Sequence, residues 1–320
     1  MVNNKRGLSF TTAEKAIFTT ILYSDIFSFP LTKDELWNFL LSERKITRGA
    51  FDIGLKKLQQ VVYKDGYYCL KNRESTIARR QKNIAESTNK MKRARDVVKE
   101  LSAIPSILFI GVSGGLAAGD AEKKDDIDLV IITKKNALFT TRFLILCMLQ
   151  GLGIRRTRNQ KDTADTICVN LLFDETAIGW FSQKKDVYIA REIAQIVPLF
   201  ERDDMYRRFL GANSWIQKFL PNVLSSQFNS NQGNHVGNPP KSEIPSVASE
   251  NNGLKFISSF TINSVFETVF HVLQFQWMKR HQTKEVITEH FLAFHPNDYR
   301  IFILKELRLK MRQVGLLTKF

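Results

Sequence analysis

Only three cysteines, Cys69, Cys147 and Cys168, occur in the 320 residues. Odd in number and scattered, with two of them inside apolar runs, they exclude a disulfide framework or zinc ribbon. They read as small core residues in a reducing compartment. The five histidines show no paired metal-ligand spacing. His290, His295 and Asp298 gather around the segment FHPND, where a proline-led helix start explains the pattern without a metal. Long apolar runs are missing as well. The longest, Phe143 to Ile154, is too short to span a bilayer and follows Arg142, so it reads as a buried helix, and no membrane span is expected. Met1 to Arg6 is polar and no apolar leader core follows, which makes the cytoplasm the expected location. Acidic residues are the minority, 32 against 47 Lys and Arg, for a net charge of +15. That balance favours polyanionic partners such as nucleotides, nucleic acid or anionic surfaces, with plain solubility as the alternative.

What the chain does have is one dense stretch, Ile107 to Thr133, reading ILFIGVSGGLAAGDAEKKDDIDLVIIT. An apolar run, Ile107 to Val112, passes through Ser113-Gly114-Gly115, and Asp126-Ile127-Asp128 leads into a second apolar run, Leu129 to Ile132. The pattern predicts two buried strands joined by a glycine turn in a hairpin-sized segment. Residues two apart on a strand share a face, so Asp126 and Asp128 present their carboxylates side by side. Paired carboxylates suit a hard divalent cation shared with substrate phosphates, and glycines let backbone N–H groups approach a phosphate closely. The competing reading makes Asp125, Asp126 and Asp128 a polar strand entrance and nothing more.

Gly114-Gly115, then Gly119, then Asp126-Ile127-Asp128-Leu129 resembles the signature of the DNA polymerase beta-like nucleotidyltransferase superfamily. The match runs from about Leu101 to Asp174. The resemblance implies a nucleoside triphosphate held by Ser113, Gly114, Gly115 and Gly119, with Mg²⁺ or Mn²⁺ on Asp126 and Asp128. It implies transfer of a nucleotidyl group to an acceptor hydroxyl with release of pyrophosphate, the acceptor being undefined. Members place a third carboxylate on the next strand, Thr166 to Phe173, and the matching position here is Asn170. A neutral amide cannot act as a base at ordinary pH, so weak turnover or nucleotide sensing without turnover is also implied. Asp165 and Asp174 flank the strand as imperfect substitutes, and the Arg155, Arg156, Arg158 patch meets the triphosphate, a polyanionic acceptor or, as an exposed loop, only solvent.

The rest of the chain predicts an α+β protein in three parts. Residues 8–74 read as a winged-helix-like domain: helices at Thr12 to Phe27, Thr32 to Leu40 and from Thr47, then a hairpin around Asp65-Gly66. Arg48, Lys56 and Lys57 lie outside on the third helix, which makes DNA a candidate partner of a regulator. Residues 75–200 form the small mixed-sheet nucleotidyltransferase-like domain. A long helix, Ser75 to Ser102, leads it, with Ile77, Ile84, Met91 and Val98 as its apolar ridge and Arg79, Arg80, Lys82, Lys92, Arg93, Arg95 and Lys99 elsewhere. Arg191 and Glu192, on a helix from Tyr188 to Gln195, are exposed candidates for acceptor contact, with plain helix-surface charge as the default reading. Residues 201–320 read as a helical C-terminal region with a polar linker at 221–253.

Overall fold

The computed structural model describes residues 10–157, 160–179, 185–223, 264–282, 285–294 and 299–316. The predicted linker at 221–253 falls almost wholly outside them, as do Arg158, His295 and Asp298. The chain is α+β, with a small sheet of order β1-β3-β2 and a six-stranded mixed sheet of order β7-β4-β5-β6-β9-β8.

The N-terminal unit follows its capping residues. Thr11 and Glu14 cap α1 (Thr12–Ile26) reciprocally, Thr32 and Glu35 do the same for α2 (Lys33–Asn38), and Thr47 caps α3 (Arg48–Lys57). Each cap satisfies backbone N–H groups that a helix start leaves without partners. Strands β2 (Val61–Lys64) and β3 (Tyr67–Leu70) turn at Asp65-Gly66, where both residues take positive φ. A short strand β1 (Leu31–Thr32), not legible in the sequence, pairs antiparallel with β3.

The long helix α4 (Ser75–Leu101) departs from expectation on its inner face. Ile77, Ala94, Val98 and Leu101 are buried, but so are Arg80, Asn83, Ser87 and Lys90 between them. Arg80, expected on an outer face, is 2 % exposed. It donates to Glu35 and to the Pro30 carbonyl, and its guanidinium lies 4.1 Å from the Phe29 ring. The helix therefore clamps the N-terminal unit at one end and packs its apolar end on the large sheet at the other.

In that sheet β4 (Ile107–Val112) and β5 (Ile127–Thr133) pair antiparallel as predicted. Their connection is longer than a glycine turn: Gly114–Ala117 forms a single helical turn, α5, followed by a loop to residue 126. α6 (Leu138–Gly151) then crosses to β6 (Ile167–Asp174), which runs parallel to β5. α6 is buried on one side only, leaving Phe143 and Cys147 exposed, so Cys147 is not the core residue expected. Its start has no cap of its own. Glu267 supplies one from far along the chain, accepting from the Phe139 and Thr140 amides at 2.8 Å each.

α7 (Val187–Gln195) leads into β7 (Val197–Glu201), a strand the sequence reading missed. Pro198 is tolerated there because β7 is an edge strand. Arg191 is not available for acceptor contact: it is 3 % exposed, with its guanidinium 3.7 Å from the Phe39 ring. Helix α8 (Met205–Ala212) follows.

The C-terminal region is not purely helical. Between α9 (Ser264–Arg280) and α10 (Tyr299–Gln313), strands β8 (Val286–Ile287) and β9 (Phe291–Ala293) extend the large sheet beyond β6. The predicted boundary at residue 200 thus divides a single sheet. α10 returns to the N-terminal unit, where Lys310 Nζ lies 2.7 Å from Asp25. No helix among the described residues is long and apolar enough to cross a membrane.

Both faces of the large sheet are packed. Ile110, Val112, Leu129, Ile131 and Leu172 join one core with α4, α6 and α9. Phe109, Val130, Ile132 and Phe173 join the other with α7, α8 and the N-terminal unit. Gly111 is where the second face has no room: a Cβ there would stand 2.8 Å from both Ile196 Cγ2 and the Phe109 ring. Gly111→Ala is expected to destabilise the protein by about 2 kcal/mol in urea unfolding. A change within experimental error would show that these two side chains yield freely.

Candidate cation site at the β5 and β6 strand ends

Alternation along β5 turns Ile127, Leu129 and Ile131 into one core, so Asp126 and Asp128 face the opposite side, toward α5 and α7. The register on both neighbours of β5 fixes what stands beside them. On one side the Ser113 amide donates to the Asp128 carbonyl at 3.0 Å, and on the other Cys168 of β6 is the partner of Asp128. Register partners in a sheet share a face, so Ser113, Asp128 and Cys168 form a row across three strands. One ligand atom each from Asp126, Asp128 and Cys168 lie within 4.8 Å of one another.

Asn170 does not take the place beside Asp128. The β5 and β6 register slips between Leu129 and Val130, whose partners are Val169 and Leu171, and Asn170 is the unpaired extra residue. It is 5 % exposed and its Oδ1 has no hydrogen-bond partner, while its carbonyl accepts from the Phe294 amide. Simple alternation put Cys168 and Asn170 on one face, and the inter-strand register decides that Cys168 flanks the carboxylates.

The glycines fit the space they occupy. Gly114 has φ +67°, and a Cβ there would lie 3.3 Å from Asp128 Oδ2. A side chain at this point would be strained and would crowd the carboxylate. Ser113 precedes α5 in the N-cap position yet makes no capping bond, and its Oγ is buried without a partner. Serine is among the best capping residues, so the first N–H groups of α5 are left open on this face.

Arg156 donates to Asp126 Oδ2, so one member of the predicted basic patch reaches the site. Asp126 is nonetheless held above the ordinary carboxylate range: burial acts first, the Asp128 charge second, and Arg156 only partly offsets them. The Cys168 thiol is pushed far up by burial and by the two carboxylates, and it hydrogen-bonds Asp128. A carboxyl raised by folding stabilises the fold least where it is charged. Its contribution is full below the unfolded value of 3.8 and is lost as pH rises through the folded value. Asp126→Asn is therefore expected to raise the thermal midpoint of the cation-free protein near neutral pH, with a gain that disappears on acidification. A gain equal at every pH would contradict this assignment.

The scaffold behind the site is the polar ridge of α4, which sequence reading passed over. Asn83 and Arg79 donate to the Asp120 carboxylate at 2.9 and 2.8 Å, and Ser87 Oγ accepts from the Ala121 amide. Lys90, fully buried, donates to the carbonyls of Lys123 and Asp125 and to Asp165 Oδ1 at 3.1, 2.8 and 2.8 Å. The loop that delivers Asp126 is thus tied to α4 along its length. The spacing of residues 80, 83, 87 and 90 is a helical stripe, which was the available signal.

The two carboxylates weighed as substitutes are engaged elsewhere. Asp165 holds Lys90 and Arg93, and Asp174 is buried against His290 Nδ1 at 2.7 Å. Gly119, with φ +69°, closes α5 rather than facing Asp128. Comparison with models of known protein families, with curated proteins and with solved structures finds no match to this chain.

Proposed function

We propose that the protein is nucleotidyltransferase-like, binding a nucleoside triphosphate with a divalent cation and transferring the nucleotidyl group to an acceptor hydroxyl. The observation that carries the reading is the convergence of Asp126, Asp128 and the uncapped Gly114-Gly115 turn on one face of the sheet. Two carboxylate oxygens side by side fit Mg²⁺ or Mn²⁺, and the absent Cβ of Gly114 keeps Asp128 Oδ2 accessible. When bound, the cation supplies charge neutralisation at the triphosphate.

The chain's own residues then divide the work. Asp126 and Asp128 hold the cation. Gly114 and Gly115 present backbone N–H groups to the β- and γ-phosphates. Arg156, released from Asp126, meets phosphate charge instead. The acceptor oxygen bonds to the α-phosphorus as the bridge to the β-phosphate breaks, pyrophosphate leaves, and the hydroxyl proton passes to solvent. Asn170 cannot take that proton, and Asp165 and Asp174 are held in other pairs, so slow turnover is the expected behaviour.

The test is incubation with α-phosphate-labelled nucleoside triphosphates, Mg²⁺ or Mn²⁺, and cell extract as a pool of acceptors. Label should appear on an acceptor with the wild type and not with Asp126→Ala/Asp128→Ala. The alternative is a nucleotide-sensing, DNA-binding regulator, favoured by the exposed Arg48, Lys56 and Lys57 on α3 of a winged-helix-like unit. Salt-dependent duplex binding that weakens when those three are neutralised, without label transfer, would support it.

A further inference from the structure

The donor set beside β5 differs in kind from a pair of carboxylates, because its third member is a sulfur atom. Asp126, Asp128 and Cys168 can each offer one atom within the same 4.8 Å. The row is completed by Ser113, 7 % exposed, whose Oγ has no partner and which register places on the same face as Asp128 and Cys168. Sulfur discriminates among cations where oxygen does not. Mg²⁺ binds hard oxygen ligands and gains little from a thiolate, whereas Zn²⁺, Co²⁺ and Cd²⁺ gain strongly.

We infer that Cys168 is a third ligand at this site and that it gives the protein a second cation class, thiophilic divalent ions of the zinc and cadmium type. The inference rests on the reading of Asp126 and Asp128 as cation ligands. On binding, the sulfur–metal bond replaces the S–H bond and the proton passes to solvent. The ion also displaces Arg156 from Asp126. A thiophilic ion held by three ligands competes with the Mg²⁺ that accompanies nucleotide, so micromolar Zn²⁺ acts on this site as an inhibitor.

The test uses the full chain carrying Cys147→Ser, since Cys147 is exposed and would bind such ions by itself, while Cys69 is buried. Titration with Co²⁺ should give a sulfur-to-cobalt charge-transfer band that saturates at one equivalent. Adding Cys168→Ser should abolish the band and weaken Cd²⁺ binding by about tenfold or more, with Mg²⁺ binding little changed. Cys168→Asp, which keeps an oxygen ligand, should also lose the band yet hold Mg²⁺ at least as well. Circular dichroism of both variants checks the fold. No band in the Cys147→Ser protein, or a band that survives Cys168→Ser, would overturn the inference. Absence of the band alongside Mg²⁺-dependent nucleotide binding through Asp126 and Asp128 would sink this inference alone. The band without such nucleotide binding would sink the transferase reading and leave the thiophilic site standing.

Discussion

Either Asp126→Ala or Asp128→Ala is expected to reduce nucleotidyl transfer at least about a hundredfold, and the double variant no further than background. The two carboxylates act as a unit, since each needs the other to hold one cation, and their ligand atoms lie within 4.8 Å of each other and of that of Cys168. Removal of Asp126 should not harm folding. Asp126 is destabilised by burial and by its neighbour's charge, so truncating it relieves a repulsion rather than breaking a support. The combination of lost transfer and unchanged or increased thermal stability separates a functional role from a structural one. Loss of stability in step with loss of transfer would assign these residues to the scaffold.

Lys90→Met is expected to behave in the opposite way, lowering the unfolding free energy by about 3 kcal/mol. The ammonium group is fully buried and satisfies two loop carbonyls and one carboxylate. Methionine fills a similar volume but leaves the Lys123 carbonyl without this donor, while the Asp125 carbonyl keeps the Asp165 amide at 3.3 Å. Asp165 keeps Arg93 at 2.6 Å and is partly exposed, so most of the loss falls on the carbonyl of Lys123, with a weakened hold on that of Asp125. Those carbonyls belong to the loop that aims Asp126. Cation affinity should therefore also fall, by roughly tenfold to a hundredfold, as when an outer support of a metal ligand is removed. Urea unfolding and Mn²⁺ titration measure the two effects on one sample. A stability change below about 0.5 kcal/mol would mean that water replaces the ammonium, as surface substitutions allow.

The sequence made visible what depends on local rules. Capping residues Thr32 and Thr47, the Asp65-Gly66 turn and the apolar runs of β4 and β5 mark their elements because each acts within a few residues. Long-range arrangements left weaker traces. β8 and β9 have two and three residues, too few to show alternation; β9 forms on the edge that β6 offers, and β8 on the edge of β9. The burial of Arg80 and Arg191 follows from partners far along the chain, Glu35 in one case and the Phe39 ring in the other. Charge on a helix reads as surface until such partners are known. The site itself was half legible: the aspartates and Gly114 stand where alternation and turn chemistry put them, while the β5 and β6 register, which no local pattern fixes, set Cys168, not Asn170, beside Asp128.

The central claim is that this face of the sheet binds a nucleoside triphosphate through a cation held by Asp126 and Asp128. Equilibrium binding of labelled nucleoside triphosphates, with and without Mg²⁺, in the wild type and in Asp126→Asn/Asp128→Asn, tests it most directly. The isosteric amides keep shape and remove only the charge that a cation needs. The account predicts binding that requires Mg²⁺ and weakens at least about tenfold in the variant. Binding indifferent to both the cation and the substitutions, or no binding at millimolar nucleotide, would contradict it.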